Sequence, residues 1–119
     1  MVDPAAVSSL TLDIARDSEA AIVRCHGKLV SRAEDPLYQL LYDQVSGLMD
    51  ETKRVVLDLS DLSEISDIGL AKLVELLVHA RRVGCEFELF NPVEPREFLE
   101  SSKLIKVFRV RGADGGILG

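Results

Sequence analysis

Hydrophobic and polar positions alternate along two segments near the start of the chain. Leu10, Leu12 and Ile14 fall on one side of residues 8–15, and this period of two is typical of a β-strand. Residues 20–26 have a similar character and follow a polar turn, so the two segments are predicted to form a hairpin. Residues 28–30 extend the second strand in this prediction.

Two longer segments carry apolar residues at helical spacing. The first follows Asp35, a capping residue, and Pro36, which suits the first helical position, and it is predicted to end near Asp50. Its apolar stripe consists of Leu37, Leu41, Val45 and Leu48, widened by Tyr38, Tyr42 and Met49. The second helix is predicted to begin near Ser66 and to stop at Gly84. Its inner stripe consists of Leu70, Leu73, Val74 and Leu77.

Shorter apolar segments complete the pattern. Residues 54–59 resemble a strand that is buried on both faces, and residues 60–65 are predicted to form a polar connection. The remaining segments are predicted as a strand at 86–90, a short helix at 95–101 and a last strand at the end of 103–110. The order β-β-α-β-α-β-α-β predicts an α/β fold: a mixed, mostly parallel sheet of four to five strands with an N-terminal hairpin and three to four helices.

Composition and charge narrow the class of protein. The 119 residues fit one domain, and 47% hydrophobic residues favour a globular chain over a disordered one. A net charge of −6 argues against nucleic acid and against an anionic membrane surface as partners. No secretory signal or membrane span is recognisable, so the sequence predicts a cytoplasmic protein without direct membrane insertion. Cys25 and Cys85 are interpreted as reduced, half-buried thiols that bind no metal.

Few residues in the sequence carry recognisable chemistry. His26 and His79 cannot be combined with a nucleophile and an acid by spacing, and no phosphate-binding glycine motif is present. Asp58 ends a predicted central strand, where receiver domains carry a phospho-acceptor. Such domains also need an acidic pair after their first strand to hold Mg²⁺, and this chain offers only Asp17 and Glu19, in a hairpin turn. We therefore interpret Asp58 as an acceptor for backbone N–H groups that follow it. The sequence therefore predicts no enzyme and no cofactor.

The segment from Ser60 to Gly69 is the most informative. It places Ser60, Ser63, Ser66 and Asp67 in or beside a predicted loop between the strand and the second helix. In one interpretation Ser66 caps the helix and Asp67 complements its dipole. In the other, this exposed segment is also a recognition surface whose charge matters to a partner.

Residues 55–70 read VVLDLSDLSEISDIGL, which resembles the centre of a STAS domain, the fold of bacterial anti-sigma factor antagonists. The family pattern there is a strand ending in Asp-Leu-Ser, a short loop, and then Ile-Asp-Ser-Ser-Gly-Leu opening a helix. The resemblance covers about residues 10–110. Its other landmarks are residues 26–29 (HGKL), 80–84 (ARRVG), 89–92 (LFNP) and 104–108 (LIKVF).

The resemblance implies a switch and a departure from it. In the family, the first serine of Asp-Ser-Ser-Gly is phosphorylated by a partner anti-sigma kinase, and the unphosphorylated domain binds that kinase and releases the sigma factor. Here Asp67 occupies the phospho-acceptor position, Ser66 the preceding position, and Ile68 replaces the second hydroxyl residue. A serine kinase cannot phosphorylate Asp67, and Ser66 is the adjacent substitute. Asp67 then either leaves binding constitutive, which we favour, or mimics the phosphorylated state.

These observations lead to one hypothesis and its alternatives. Residues 1–119 are expected to form one STAS domain with flexible ends, which acts as an anti-sigma factor antagonist and binds an anti-sigma factor or a serine kinase-like protein. The expected partner surface includes the solvent side of the second helix and the residues Ser60, Ser63, Ser66, Asp67 and Ile68. The sequence does not decide between a monomer and a homodimer. The alternative is a STAS scaffold or accessory subunit, either of a stressosome-like assembly or of a lipid-transport ABC complex.

Overall fold

The computed structural model describes residues 10–30, 36–93, 96–103 and 106–113, which form a five-stranded sheet and its helices. In chain order the elements are β1 (Leu10–Arg16), β2 (Ala20–Leu29), α1 (Pro36–Glu51), β3 (Arg54–Ile65), α2 (Asp67–Val83), β4 (Glu86–Phe90), α3 (Arg96–Ser101) and β5 (Arg109–Arg111). The predicted order of strands and helices is confirmed.

The strands lie in the sheet in the order in which they follow along the chain. β1 pairs with β2 in antiparallel fashion, and the pairs β2–β3, β3–β4 and β4–β5 are parallel. The mixed, mostly parallel sheet with its N-terminal hairpin is therefore confirmed. Helices α1 and α2 contact each other and the central strands, so they cover one face, which we call the inner face. We call the opposite side of the sheet the outer face.

Alternation along the strands separates the two faces. Inner-face residues of β2 to β5 are almost completely buried; they include Ala21, Val23, Val55, Leu57, Phe87, Leu89 and Val110. Outer-face positions carry charged residues and exposed apolar ones, such as Ile22 with 47% exposure. The hydrophobic core therefore lies between the inner face and the helices.

β3 is longer than the sequence predicts. Residues 60–65 continue this strand, because Lys28 and Leu29 at the end of β2 pair with Glu64 and Ile65. The ladder shifts register beside Gly27, whose φ of 102° is readily adopted only by glycine. The prediction of a polar connection here was wrong, because its polar residues lie on the exposed positions of a paired strand.

Other element boundaries differ slightly from the prediction. The last strand comprises Arg109–Arg111, and Lys103 and residues 106–108 lie outside it. The predicted cap Asp35, the predicted helix start Pro95 and the chain ends predicted to be flexible lie outside the described residues. Gly84 ends α2 in the left-handed conformation with a φ of 74°, as predicted.

Candidate functional site

The junction between β3 and α2 is built around Ser66. Its backbone is extended, with φ −93° and ψ 171°, and the chain passes from strand to helix at this residue. The Oγ atom accepts a hydrogen bond from the N–H of Gly69 at 3.0 Å, which satisfies one of the first donors of α2. The predicted helix cap at Ser66 is therefore confirmed.

The hydroxyl of Ser66 is turned into the protein. It donates to the carbonyl oxygen of Leu29 at 3.3 Å, and the hydroxyl of Tyr38 lies 3.1 Å from the same Oγ. Either hydroxyl can be the donor in the contact between Tyr38 and Ser66. Tyr38 is 1% exposed, so α1 closes this side of the junction.

Gly69 lets α2 approach the ends of both neighbouring strands. A Cβ atom at this position would lie 2.7 Å from the Leu29 carbonyl oxygen and 3.1 Å from Cγ1 of Ile65. Both distances are shorter than ordinary van der Waals contacts, the first by enough to force a shift. The glycine thus sets the close packing that holds the cap of α2 in place.

Asp67 is exposed at the first position of α2, and its side chain forms no hydrogen bond or ion pair with the described residues. Ile68 is half-buried and packs against the edge of the core. Ser63 is exposed, and its hydroxyl donates to the Gly27 carbonyl oxygen at 3.1 Å. Four of the predicted surface residues, including Ser66, therefore belong to the end of β3 and the first turn of α2.

Ser60 takes part in a different set of contacts. Its hydroxyl donates to Oδ1 of Asp58 at 2.6 Å and accepts from the amide of Asn91 at 3.1 Å. Asp58 also accepts the backbone N–H of Ser60 at 2.9 Å and pairs with Arg24, 3.3 Å away on β2. Asp58 thus accepts the N–H bond that the sequence predicts, and Ser60 is joined to the outer face rather than to the cap of α2.

Sequence reasoning missed several polar contacts. The apolar stripe predicted for α1 includes Tyr38, yet its hydroxyl reaches Ser66. His26 bridges β1 and β3, with Nε2 2.8 Å from Asp13 and Nδ1 3.0 Å from Asp61. His26 and Asp13 occupy adjacent strands at positions that face the same side, and this alternation was the available signal.

The described residues hold neither a metal-binding cluster nor a membrane-spanning helix. They contain no group of three or more histidine, cysteine or acidic side chains placed to hold a metal ion. None of the helices they form has the length and apolar character needed to cross a membrane.

The sheet order, the N-terminal hairpin and the serine-capped helix after the central strand define a mixed α/β domain. The chain belongs to the STAS domain family, which it matches over residues 11–113. The resemblance found in the sequence is therefore confirmed.

Solved structures share this fold at low sequence identity. The anti-sigma factor antagonist SpoIIAA in its unphosphorylated form is similar with a TM-score of 0.69 and 15% identity, over 87% of this chain and 90% of that one. An anti-sigma factor antagonist from Mycobacterium paratuberculosis gives 0.71 and 17%, over 92% and 89%. The Bacillus cell fate determinant SpoIIAA in the phosphorylated form gives 0.64 and 14%, over 87% and 94%.

Proposed function

We propose that this chain is an anti-sigma factor antagonist, which binds a kinase-type anti-sigma factor and so frees the sigma factor that this partner holds. The observation that carries the proposal is the position of Asp67. It is exposed in the first turn of α2, where the resemblance places the phosphorylated serine of the family. Membership of the STAS family and the fold shared with known antagonists support this function. The domain acts by binding and catalyses no reaction.

The proposed partner surface combines the end of β3 with the solvent side of α2. Asp67 contributes a negative charge, Ile68 a half-buried apolar contact, and Ser63 an exposed hydroxyl. Ser66 shapes the surface by holding the first turn of α2 in place. Ser60 lies at the outer-face margin of this surface, at the point where Asn91 meets β3.

The switch of the family is absent at this surface, so binding is constitutive. A carboxylate accepts no phosphate from a serine kinase, and the neighbouring Ser66 hydroxyl makes three hydrogen bonds inside the junction. Asp67 is also a weak mimic of phosphoserine. Its side chain carries about one negative charge and two oxygens, against roughly 1.5 to 2 charges and three acceptor oxygens for a phosphoserine.

Affinity for the anti-sigma factor, identified from neighbouring genes, tests the proposal by calorimetry. We compare the native chain with Asp67→Ser and with the matched control Glu97→Ser, which removes an exposed first-turn acid from α3. The native chain is expected to bind, Asp67→Ser to bind equally or more weakly, and Glu97→Ser to be unchanged. A gain of more than about tenfold for Asp67→Ser, or 1.4 kcal/mol, would show that Asp67 mimics phosphate. No binding by the native chain, with copurification of membrane ATPase components instead, would favour the transporter alternative.

Phosphorylation by the same kinase is a second test. The native chain incubated with kinase and ATP should show no phosphate at position 66 or 67 by mass spectrometry. Asp67→Ser restores the serine of the family and serves as the positive control in the same reaction. Phosphate on Ser66 of the native chain would contradict the proposal, because it would restore a switch displaced by one residue.

A further inference from the structure

Three arginines surround one buried carboxylate on the outer face of the sheet. Glu88 on β4 is 2% exposed, and its Oε2 lies 2.6 Å from Nη2 of Arg54 on β3. On β5, Nε of Arg111 lies 3.2 Å from Oε1 of Glu88, and Nη1 of Arg109 lies 3.6 Å from that oxygen. We call Arg54, Arg109 and Arg111 the arginine cluster.

The cluster holds more positive charge than Glu88 neutralises. Arg54 and Arg111 already supply one hydrogen bond to each carboxylate oxygen, and Arg109 is at an ion-pair distance longer than a hydrogen bond. Glu86, on the same side of β4, is exposed and forms no ion pair with the described residues. Among the described residues, three arginines therefore lie within ion-pair distance of Glu88, and Glu86, the register partner of Arg54, is the second carboxylate on this side of β4.

The arginine cluster also contains an N–H group without a hydrogen-bond partner among the described residues, and side chains that are partly exposed. The Nε of Arg54 is buried and has no hydrogen-bond partner among the described residues, a state that costs free energy in a folded protein. The side chain of Arg109 is 54% exposed and that of Arg54 is 42% exposed, so both can be reached from solvent. This arrangement combines several positive charges with two guanidinium side chains that are partly exposed to solvent.

We propose that the arginine cluster on the outer face is a binding site for a phosphoryl dianion. Guanidinium groups bind phosphate through paired N–H donors, and Arg is preferred where such planar recognition is needed. A phosphoryl group offers three terminal oxygens and about two charges, which match three arginines with a local excess of positive charge better than a carboxylate does. Val56 and Phe90, both half-buried on the same face, would contact the remainder of a larger phosphorylated molecule. The site is separate from the partner surface at α2 and does not depend on the proposed function.

NMR titration of the full chain with inorganic phosphate at constant ionic strength tests this site. The side-chain Nε–H resonances of the cluster should shift and saturate, whereas sodium chloride at the same ionic strength should leave them unchanged. Arg109→Gln should weaken phosphate binding by about fivefold or more, while Arg54 and Arg111 still hold Glu88 and keep the fold. The matched control Arg96→Gln, which removes an exposed arginine paired with Glu100, should change the affinity by less than about twofold.

A phosphoserine peptide and its unphosphorylated form distinguish the two sources of such a group. Saturable binding of the phosphopeptide at least about tenfold tighter than that of inorganic phosphate assigns the site to a phosphorylated chain, and equal affinities assign it to a small phosphate compound. Both results support the site. Shifts that are linear in phosphate, that chloride reproduces, or that Arg96→Gln weakens as much as Arg109→Gln would overturn the proposal.

Discussion

The buried carboxyl group of Glu88 is held in its ionised form by the arginines around it. Burial raises the pKa of its carboxyl group, but hydrogen bonds from Arg54 and Arg111 and their positive charges outweigh this effect. The pKa therefore lies below its ordinary value. The ionised form of Glu88 consequently stabilises the folded state.

Glu88→Gln should make the stability of the chain less dependent on acid pH. Because the folded pKa is lowered, the contribution of Glu88 is complete above the unfolded value of about 4.3 and is lost as the pH falls through the folded pKa. We expect a loss of about 1–3 kcal/mol in the free energy of unfolding at pH 7, since the arginines are partly exposed, and a smaller loss near pH 3. Urea unfolding at both pH values measures it. The control Glu86→Gln should have little effect, and an equal loss for Glu88→Gln at both pH values would contradict the account.

Cys25 should resist alkylation in the folded protein. Burial and the nearby charge of Asp58 raise the pKa of its thiol to about 12. At pH 8 only about one thiol in ten thousand is then the reactive thiolate. Mass spectrometry after iodoacetamide treatment should show modification of Cys25 in urea and protection in buffer. Rapid stoichiometric modification in buffer would show that the strand β2 is less well packed than described.

The first turn of α2 requires Gly69 because there is no room for a Cβ atom at this position. Gly69→Ala would place a Cβ atom 2.7 Å from the Leu29 carbonyl oxygen. We expect it to lower the free energy of unfolding by about 1–3 kcal/mol, as overpacked substitutions do. Urea denaturation provides the measurement.

Gly47 is the matched control within α1. Outside the adjoining backbone of α1, no atom lies within 4 Å of the Cβ that Gly47→Ala would add, so this variant should gain about 0.5–1 kcal/mol from helix propensity. Equal stabilisation by Gly47→Ala and Gly69→Ala would contradict the close approach of α2 to the ends of β2 and β3.

At the scale of elements, local signals predicted the helices better than the end of β3. Ser66 and Gly84 carry capping chemistry that acts within a few residues, and both cap α2 where the sequence predicts. Residues 60–65 became a strand through pairing with residues more than thirty positions earlier, at Lys28 and Leu29. A polar, exposed strand end and a loop have the same local pattern, so the sequence alone could not separate them.

At the scale of the whole molecule, the fold was predictable and the polar contacts across it were not. The alternating elements and the STAS motif at residues 55–70 fixed the sheet and the location of Asp67. The contact of Tyr38 with Ser66 and that of Arg54 with Glu88 join residues 28 and 34 positions apart. Such contacts depend on strand order and register, which decide which distant side chains share a face.

The proposed antagonist is expected to free its sigma factor without being switched off by phosphorylation. The most direct measurement adds the native chain to the complex of sigma factor and kinase-type anti-sigma factor, and follows released sigma factor over time with and without ATP. We predict release that persists equally in both conditions, and release by Asp67→Ser that declines when ATP is present. No release by the native chain, or release that declines with ATP as it does for Asp67→Ser, would contradict the account.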